Sequence, residues 1–172
     1  TWSPDSKYIF VGVLNRDQNH LKMNQYDAVS GNLVKTLFEE TSDKYVEPQH
    51  QLLFFPNSNT DFIWQSQRTG YNHLFHYSLE KGLIAQITKG DWLVTDILGF
   101  NEKKKEIYYA STQESPMERH LYRINWNNFK TQKLSAAPGM HTGILSKDGT
   151  QLYDIYSNAT TPRSVNLINS TT

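Results

Sequence analysis

The sequence contains no cysteine, and this absence excludes several classes of protein at once. Without cysteine there is no disulfide scaffold, no thiolate nucleophile and no zinc site built on sulfur ligands. An excess of either charge is also missing, because 17 Lys and Arg residues balance 17 Asp and Glu residues. Proteins that bind nucleic acid or anionic membranes normally show a basic excess or stripe, so we expect no nucleic-acid partner.

Long apolar runs are absent as well. None approaches the roughly 20 residues that a helix needs to cross a bilayer, so we expect no membrane span in this segment. Residues 1–20 lack the charged start and the apolar core of a signal peptide. Apolar residues rarely recur at intervals of three and four, which argues against amphipathic helices.

Short runs rich in β-branched and aromatic residues are frequent instead. They occupy residues 8–14, 61–64, 106–110 and 151–156. Turn signals lie between them, among them Ser3-Pro4-Asp5, Ser30-Gly31-Asn32 and Lys147-Asp148-Gly149. Short strands bounded by such turns predict an all-β protein.

A tripeptide recurs along the chain at intervals of roughly 50 residues, which is the length of one propeller blade. Asn19-His20-Leu21 returns as Asn72-His73-Leu74 and as Arg119-His120-Leu121, and Arg163-Ser164-Val165 stands where a fourth copy would fall. Each copy follows an apolar strand and a polar loop. A repeat of this length with three or four strands is typical of β-propellers.

The repeat therefore predicts an all-β, partial β-propeller of about three and a half blades, each an antiparallel four-stranded sheet. We place the blades at residues 1–44, 45–90, 91–138 and 139–172, the last of them incomplete. Closed propellers have at least four blades, so we interpret the chain as a fragment of one propeller domain. Exposed blade edges in such an arc would favour a homo-oligomer.

Motifs for catalysis are missing. The sequence has no Gly-x-Ser-x-Gly elbow and no glycine-rich phosphate loop, so we assign no catalytic residue and no cofactor. His73 and His76 form a His-x-x-His pair, but an odd separation on a strand places the two rings on opposite faces, and we predict no metal site. His20, His73 and His120 share one repeat position, which favours a common structural role.

One polar stretch, residues 41–50, interrupts the repeat and lengthens its first interval. Loops at the mouths of propellers often hold binding residues. An ordinary crossover between two blades is the simpler interpretation. Both interpretations stay open at this point.

Several segments, taken together, resemble a known family. The segments 1–5, 14–19, 26–31, 88–92 and 119–122 are similar, in order, to the N-terminal propeller of dipeptidyl peptidase IV enzymes, which belong to the prolyl oligopeptidase class of serine peptidases. Each motif alone is common among propellers. Their order and spacing over nearly the whole chain carry the resemblance.

The resemblance implies that the parent chain joins an eight-bladed propeller to a C-terminal α/β-hydrolase domain and releases N-terminal X-Pro, or less well X-Ala, dipeptides. The Ser-Asp-His triad would lie beyond Thr172, so this segment is expected to be non-catalytic and inactive alone. Its implied partners are peptide substrates and the hydrolase domain. The family's paired glutamates would lie upstream of Thr1, and Glu39-Glu40, which ends a strand, is not taken as that pair.

The family sends a propeller loop towards the substrate cavity at the place where residues 45–50 lie here. Tyr45, Glu47, Gln49 and His50 are therefore the substrate-facing candidates. Family members often place an Arg in this loop, where it contacts the substrate beyond its first two residues. This loop contains no Arg.

Two further expectations concern the class and the source of the protein. The alternative to a peptidase propeller is a binding or scaffold module without a peptidase domain. Vertebrate relatives carry disulfides in this half of the propeller, so the absence of cysteine favours a bacterial homologue located in the periplasm or cell envelope.

Overall fold

In a computed structural model, residues 1–169 are described, and they form fourteen β-strands joined by turns and loops. No helix occurs among residues 1–169, and every pair of neighbouring strands in the four sheets is antiparallel. The prediction of an all-β chain is confirmed. Residue 172, where we placed the end of the last blade, lies outside the described residues.

The first compact unit, Thr1–Ile87, holds two sheets. Sheet A contains three strands in chain order: β1 (Tyr8–Leu14), β2 (His20–Asp27) and β3 (Leu33–Thr41). Sheet B contains four: β4 (Leu53–Phe54), β5 (Asp61–Ser66), β6 (His73–Ser78) and β7 (Gly82–Gln86). Each strand pairs with the next one along the chain, so both sheets are simple meanders.

The second compact unit, Thr88–Thr172, repeats this plan. Sheet C contains β8 (Val94–Asn101), β9 (Glu106–Ser111), β10 (His120–Asn125) and β11 (Thr131–Lys133). Sheet D contains β12 (Met140–Leu145), β13 (Gln151–Ser157) and β14 (Ser164–Asn169). The limits that we assigned to the four blades remain a prediction.

The recurrent tripeptide marks the same point of sheets A, B and C. His20, His73 and His120 are the first residues of β2, β6 and β10. His73 and His120 pair with Ser66 and Ser111, the last residues of the preceding strands. The repeat found in the sequence is therefore a repeated hairpin.

Alternation along the strands builds the core of the first unit. Side chains two residues apart on a strand point to the same face, so Leu21 and Met23 of sheet A meet Phe62 and Trp64 of sheet B. The aromatic rings interlock, and those of Phe62 and Tyr77 stack with their centroids 5.5 Å apart. Burying rings of this size supplies much of the free energy that holds two such sheets together.

A smaller core joins the sheets of the second unit. Tyr108, Ala110 and Leu121 of sheet C pack against Leu152 of sheet D. Tyr108, Leu121 and Leu152 are fully buried. Both units thus bury one face of each sheet against the other sheet of the same unit.

Candidate functional site

The crossover from β3 to β4 contains the predicted substrate-facing residues. It is anchored to sheet A by two backbone hydrogen bonds, in which Ser42 N donates to Asn19 O at 3.0 Å and Val46 N donates to Gln18 O at 2.6 Å. The Val46 side chain packs on the core of the first unit. Tyr45 and Glu47, on either side of Val46, are exposed.

Tyr45 and Glu47 line a cleft of about 540 Å³ in the first unit. One wall consists of the end of β3 and the crossover, and the other consists of the β5–β6 turn with Arg68 and Gly70. Gly70 has a φ of 99°, a conformation that a residue with a side chain rarely adopts, and it allows this turn to be tight. The cleft therefore brings together two segments that are distant in the chain.

Arg68 is held on several sides. Its Nε donates to Ser66 Oγ at 3.1 Å and its Nη1 donates to the Tyr77 hydroxyl at 2.5 Å. The guanidinium lies over the rings of Phe75 and Tyr77, with its carbon 4.9 and 5.5 Å from their centroids. These contacts fix the cation in one orientation at the base of the cleft.

Glu40, on β3, is the charged partner of Arg68. Its Oε1 accepts from Arg68 Nη2 and, at 2.8 Å, from Trp64 Nε1. Burial alone would lower the pKa of Arg68, but the hydrogen bond and negative charge of Glu40 outweigh it and raise the pKa. The pKa of the Tyr77 hydroxyl is raised as well, in this case by burial itself, which disfavours the charged phenolate. The guanidinium is therefore a permanent cation beside a neutral phenol.

Glu39 has different partners. Its carboxylate lies 2.5 Å from His20 Nε2 and 3.5 Å from Lys22 Nζ. The hydrogen bond with His20 lowers the pKa of Glu39. Because neighbours on a strand point to opposite faces, Glu39 and Glu40 have different partners, although both residues line the cleft.

The four predicted site residues do not share one pocket. His50, which is half-buried, lines a second, smaller pocket together with Thr1, Phe10 and Trp64. Gln49 is exposed, and Pro48 before it lines both pockets. Arg68 is not among the residues that the sequence predicts for a site, and Glu40 enters the sequence analysis only as half of the Glu39-Glu40 pair, which is not taken as a site.

The second unit contains a serine, a histidine and a carboxylate in contact. His120 Nδ1 lies 2.8 Å from Ser135 Oγ, and its Nε2 lies 2.7 Å from Glu118 Oε2. Ser135 is buried, and its Oγ also accepts a hydrogen bond from Leu121 N at 3.1 Å. A buried hydroxyl committed to the backbone in this way has a structural role rather than that of a nucleophile.

A second buried histidine ties sheet D to the loop that precedes it. His141 Nδ1 lies 2.7 Å from Asp154 Oδ1, and Nε2 lies 2.8 Å from Ala137 O. Both ring nitrogens lie within hydrogen-bond distance of an oxygen atom, so the ring is held on two sides. The pair links β12, β13 and the crossover from sheet C.

The described residues hold neither a cluster of metal ligands nor a membrane-spanning helix. Within residues 1–169, no group of three or more His, Asp or Glu side chains is placed to hold a metal ion. His76 lies 3.2 Å from Asp61, and His73 is buried at the other end of β6's hairpin with β5. The same residues include no helix long and apolar enough to cross a membrane.

Comparison with known proteins identifies the class to which this fold belongs. Residues 1–163 match the sequence profile of the dipeptidyl peptidase IV N-terminal region. The match covers nearly the whole chain, so the chain belongs to this family.

Two curated relatives of this chain are described as dipeptidyl peptidases of fungi. The chain is 30% identical to dipeptidyl-aminopeptidase B of Aspergillus niger over 155 residues, which cover 81% of the chain and 17% of that protein. It is 29% identical to the probable dipeptidyl peptidase 4 of Aspergillus flavus over 125 residues, which cover 70% of the chain and 16% of the relative. The chain thus spans about a sixth of these relatives.

Two solved structures from bacteria share the fold. A Bacteroides ovatus protein described as a dipeptidyl aminopeptidase IV superposes with a TM-score of 0.91 at 36% identity, covering 99% of this chain and 27% of that one. Porphyromonas gingivalis dipeptidyl peptidase 4 superposes with a TM-score of 0.86 at 27% identity, covering 96% of this chain and 23% of that one.

These similarities confirm two predictions, the dipeptidyl peptidase IV resemblance and the partial β-propeller. They do not establish a bacterial source, since the two relatives described above are fungal and the two solved structures bacterial. The bacterial assignment and the role of residues 45–50 stay predictions.

Proposed function

We propose that this chain is a non-catalytic propeller segment of a serine dipeptidyl peptidase that releases N-terminal X-Pro or X-Ala dipeptides. The observation that carries the proposal is the family match over residues 1–163. The hydrolase triad would belong to the C-terminal domain of the parent chain. The buried Ser135 supports this division of labour, because it offers no accessible nucleophile.

The segment would contribute access and positioning. A cavity walled by a propeller admits an extended peptide end and excludes folded protein, and the walls determine which carbonyl meets the nucleophile. The cleft beside Tyr45 and Glu47 is open, and its fixed cation and carboxylate are polar groups suited to a peptide chain. In this proposal the cleft forms part of the path taken by substrates longer than a dipeptide.

The proposed location is the periplasm or cell envelope of a bacterium. Support comes from the 36% identity with the Bacteroides ovatus protein over 99% of the chain. Fractionation of the source cells, with dipeptide release followed in each fraction, tests the location. Activity confined to the cytosolic fraction would overturn it.

Substitution of Glu47 tests the positioning role in the intact parent enzyme. We expect Glu47→Gln to reduce kcat/KM for peptides of six or more residues more than for a chromogenic dipeptide substrate. Loss of an exposed charge contact costs about 0.2–1 kcal/mol, so the expected difference is about 1.4- to 5-fold. Steady-state kinetics on both substrates measure it.

Glu80→Gln is the matched control, because Glu80 is an exposed carboxylate of the same unit in the β6–β7 turn. It should leave the ratio of the two kcat/KM values unchanged. Equal effects of Glu47→Gln on both substrates, or no effect on either, would contradict the positioning role. An intact parent that releases no dipeptides would contradict the proposed function itself.

A further inference from the structure

The Glu40–Arg68 pair presents unused hydrogen-bonding groups side by side in the cleft. A guanidinium has five N–H donors. Three of them are used by Ser66, Tyr77 and Glu40, so one on each terminal nitrogen has no acceptor within residues 1–169. Glu40 Oε1 accepts two hydrogen bonds, whereas Oε2 accepts none from the described residues.

Both side chains are held rigidly by their surroundings. The Glu40 side chain is only 9% exposed and the Arg68 side chain 28% exposed. Aromatic rings on β3 and β6 pack against the guanidinium, among them Phe38 and Phe75. A ligand therefore meets groups whose rotamers are already fixed, which lowers the entropic cost of binding.

The chemistry of the pair fits a neutral ligand that has both a donor and an acceptor. A free carboxylate would be attracted by Arg68 but repelled by Glu40. A free amine would be attracted by Glu40 but repelled by Arg68. A peptide bond has no net charge, and it presents a carbonyl oxygen for the guanidinium and an N–H for Glu40 Oε2. The exposed Tyr45 at the rim adds a ring surface for a passing side chain.

We infer that Glu40 and Arg68 together bind the main chain of an extended peptide, which in the proposed function is the part of a long substrate beyond the released dipeptide. Arg68 donates to a peptide carbonyl, and Glu40 Oε2 accepts from a peptide N–H. The inference rests on the proposed function for the identity of the ligand. Family members often contact the substrate with an Arg from the loop that corresponds to residues 45–50. In this proposal Arg68, from the turn between β5 and β6, makes that contact instead.

An ester scan of a long peptide tests this recognition in the intact parent protein. The probe is a fluorescent peptide beginning Ala-Pro, with its second amide reduced to CH₂–NH so that it is not hydrolysed. Esters then replace the backbone N–H groups of residues 4–7 one at a time. Loss of a hydrogen bond to a carboxylate should weaken binding about 10- to 100-fold at one position.

Glu40→Gln is the informative variant. Glutamine keeps an oxygen for Trp64 and Arg68 but places a donor where Oε2 was, so the sensitive ester should now bind as well as the amide peptide. Arg68→Lys is the second variant, and it should weaken every peptide of the scan by a similar factor. Thermal unfolding of each variant confirms that it is folded.

The matched control is Glu106→Gln in the second unit. Glu106 lies 3.5 Å from Arg123 and accepts from the Tyr108 hydroxyl at 3.0 Å, so it copies the Glu40 environment away from the cleft. In Glu106→Gln the sensitive ester should still bind more weakly than the amide peptide, a difference that we call the ester effect. A wild-type protein that binds all esters equally, or does not bind the peptide, would overturn the inference, as would an unchanged ester effect in Glu40→Gln.

Failure of the inference is distinguishable from failure of the proposed function. Release of dipeptides from a short chromogenic substrate reports the function and does not involve the distal peptide. Binding of the reduced peptide reports the Glu40–Arg68 contact and requires no catalysis. Activity without an ester effect refutes only the inference, and an ester effect without activity refutes only the function.

Discussion

Glu39 and Glu40 show how much one step along a strand changes the role of a residue. The two are chemically identical and adjacent, yet Glu39 contacts His20 and Lys22 on one side of sheet A. Glu40 instead accepts from Trp64 and Arg68. Side-chain alternation on a β-strand is the reason: although both residues line the cleft, Glu39 belongs to an exposed ion pair and Glu40 to a largely buried one.

At the same scale, Asp148 provides a test of pH dependence. Hydrogen bonds from Ser146 and Thr150 lower the pKa of Asp148 to about 2. Since the unfolded chain has the higher pKa, Asp148 stabilises the fold above about pH 4, and this stabilisation is lost as the pH falls to about 2. Asp148→Asn should therefore lower the unfolding midpoint in urea at pH 6 but not at pH 2.

Urea unfolding of the wild type and of Asp148→Asn across this range measures the effect, and NMR titration of the carboxyl carbon reports the pKa directly. The same difference in midpoint at pH 6 and pH 2 would show that the hydrogen-bonded carboxylate does not stabilise the turn.

At the scale of the element, two turn glycines have the same backbone conformation but different steric surroundings. The turn before β13 contains Gly149, which has a φ of 69°. A Cβ at this position would lie 2.5 Å from Phe100 O and 2.9 Å from Asn101 Cα. Gly31, in the turn between β2 and β3, has a similar φ of 72° but no atom within 4 Å of such a Cβ.

These two glycines separate backbone strain from steric contact. Gly31→Ala should cost about 1–2 kcal/mol, the penalty of a left-handed backbone alone. Gly149→Ala should cost about 1–3 kcal/mol more, because the Phe100 backbone must also move. Chemical denaturation of both variants gives the comparison. Equal losses of stability would mean that the contact with β8 is readily relieved.

At the scale of the whole molecule, apolar surface remains uncovered. Ile144, Tyr153 and Leu167 pair across sheet D and are 56%, 50% and 57% exposed, whereas Leu152 on the opposite face is fully buried. Three large apolar side chains in one cross-strand row form a patch of the kind that proteins usually cover.

We therefore expect this 172-residue chain to self-associate, as its exposed edges and faces already suggested. Sedimentation velocity over a concentration series should show oligomers, and Leu167→Glu should shift the population towards the monomer by placing a charge in the patch. Val29→Glu is the control, since Val29 is 96% exposed and sits in an isolated turn. A wild type that is monomeric at every concentration contradicts the expectation.

Local patterns account for the parts of the fold that were predicted. Turn residues and short apolar runs indicated strands, and the spacing of His20, His73 and His120 located the hairpins correctly. Tyr45 and Glu47, which the family resemblance named as substrate-facing candidates, line the cleft, and their role stays a prediction. Glu40 and Arg68 were not among the candidates, because they belong to a strand and a turn of different sheets.

The amino-acid sequence by itself determined the class of this protein: an all-β repeat of the dipeptidyl peptidase IV N-terminal family, without cysteine chemistry or a nucleophile motif. Strand period and turn chemistry act over a few residues, so one sequence suffices to detect them. The packing of sheet A on sheet B decided the rest: it brings Arg68 into contact with Glu40, and it places His50 in a different pocket from Tyr45 and Glu47. Contacts of that kind depend on which faces are buried together, and no local pattern encodes them.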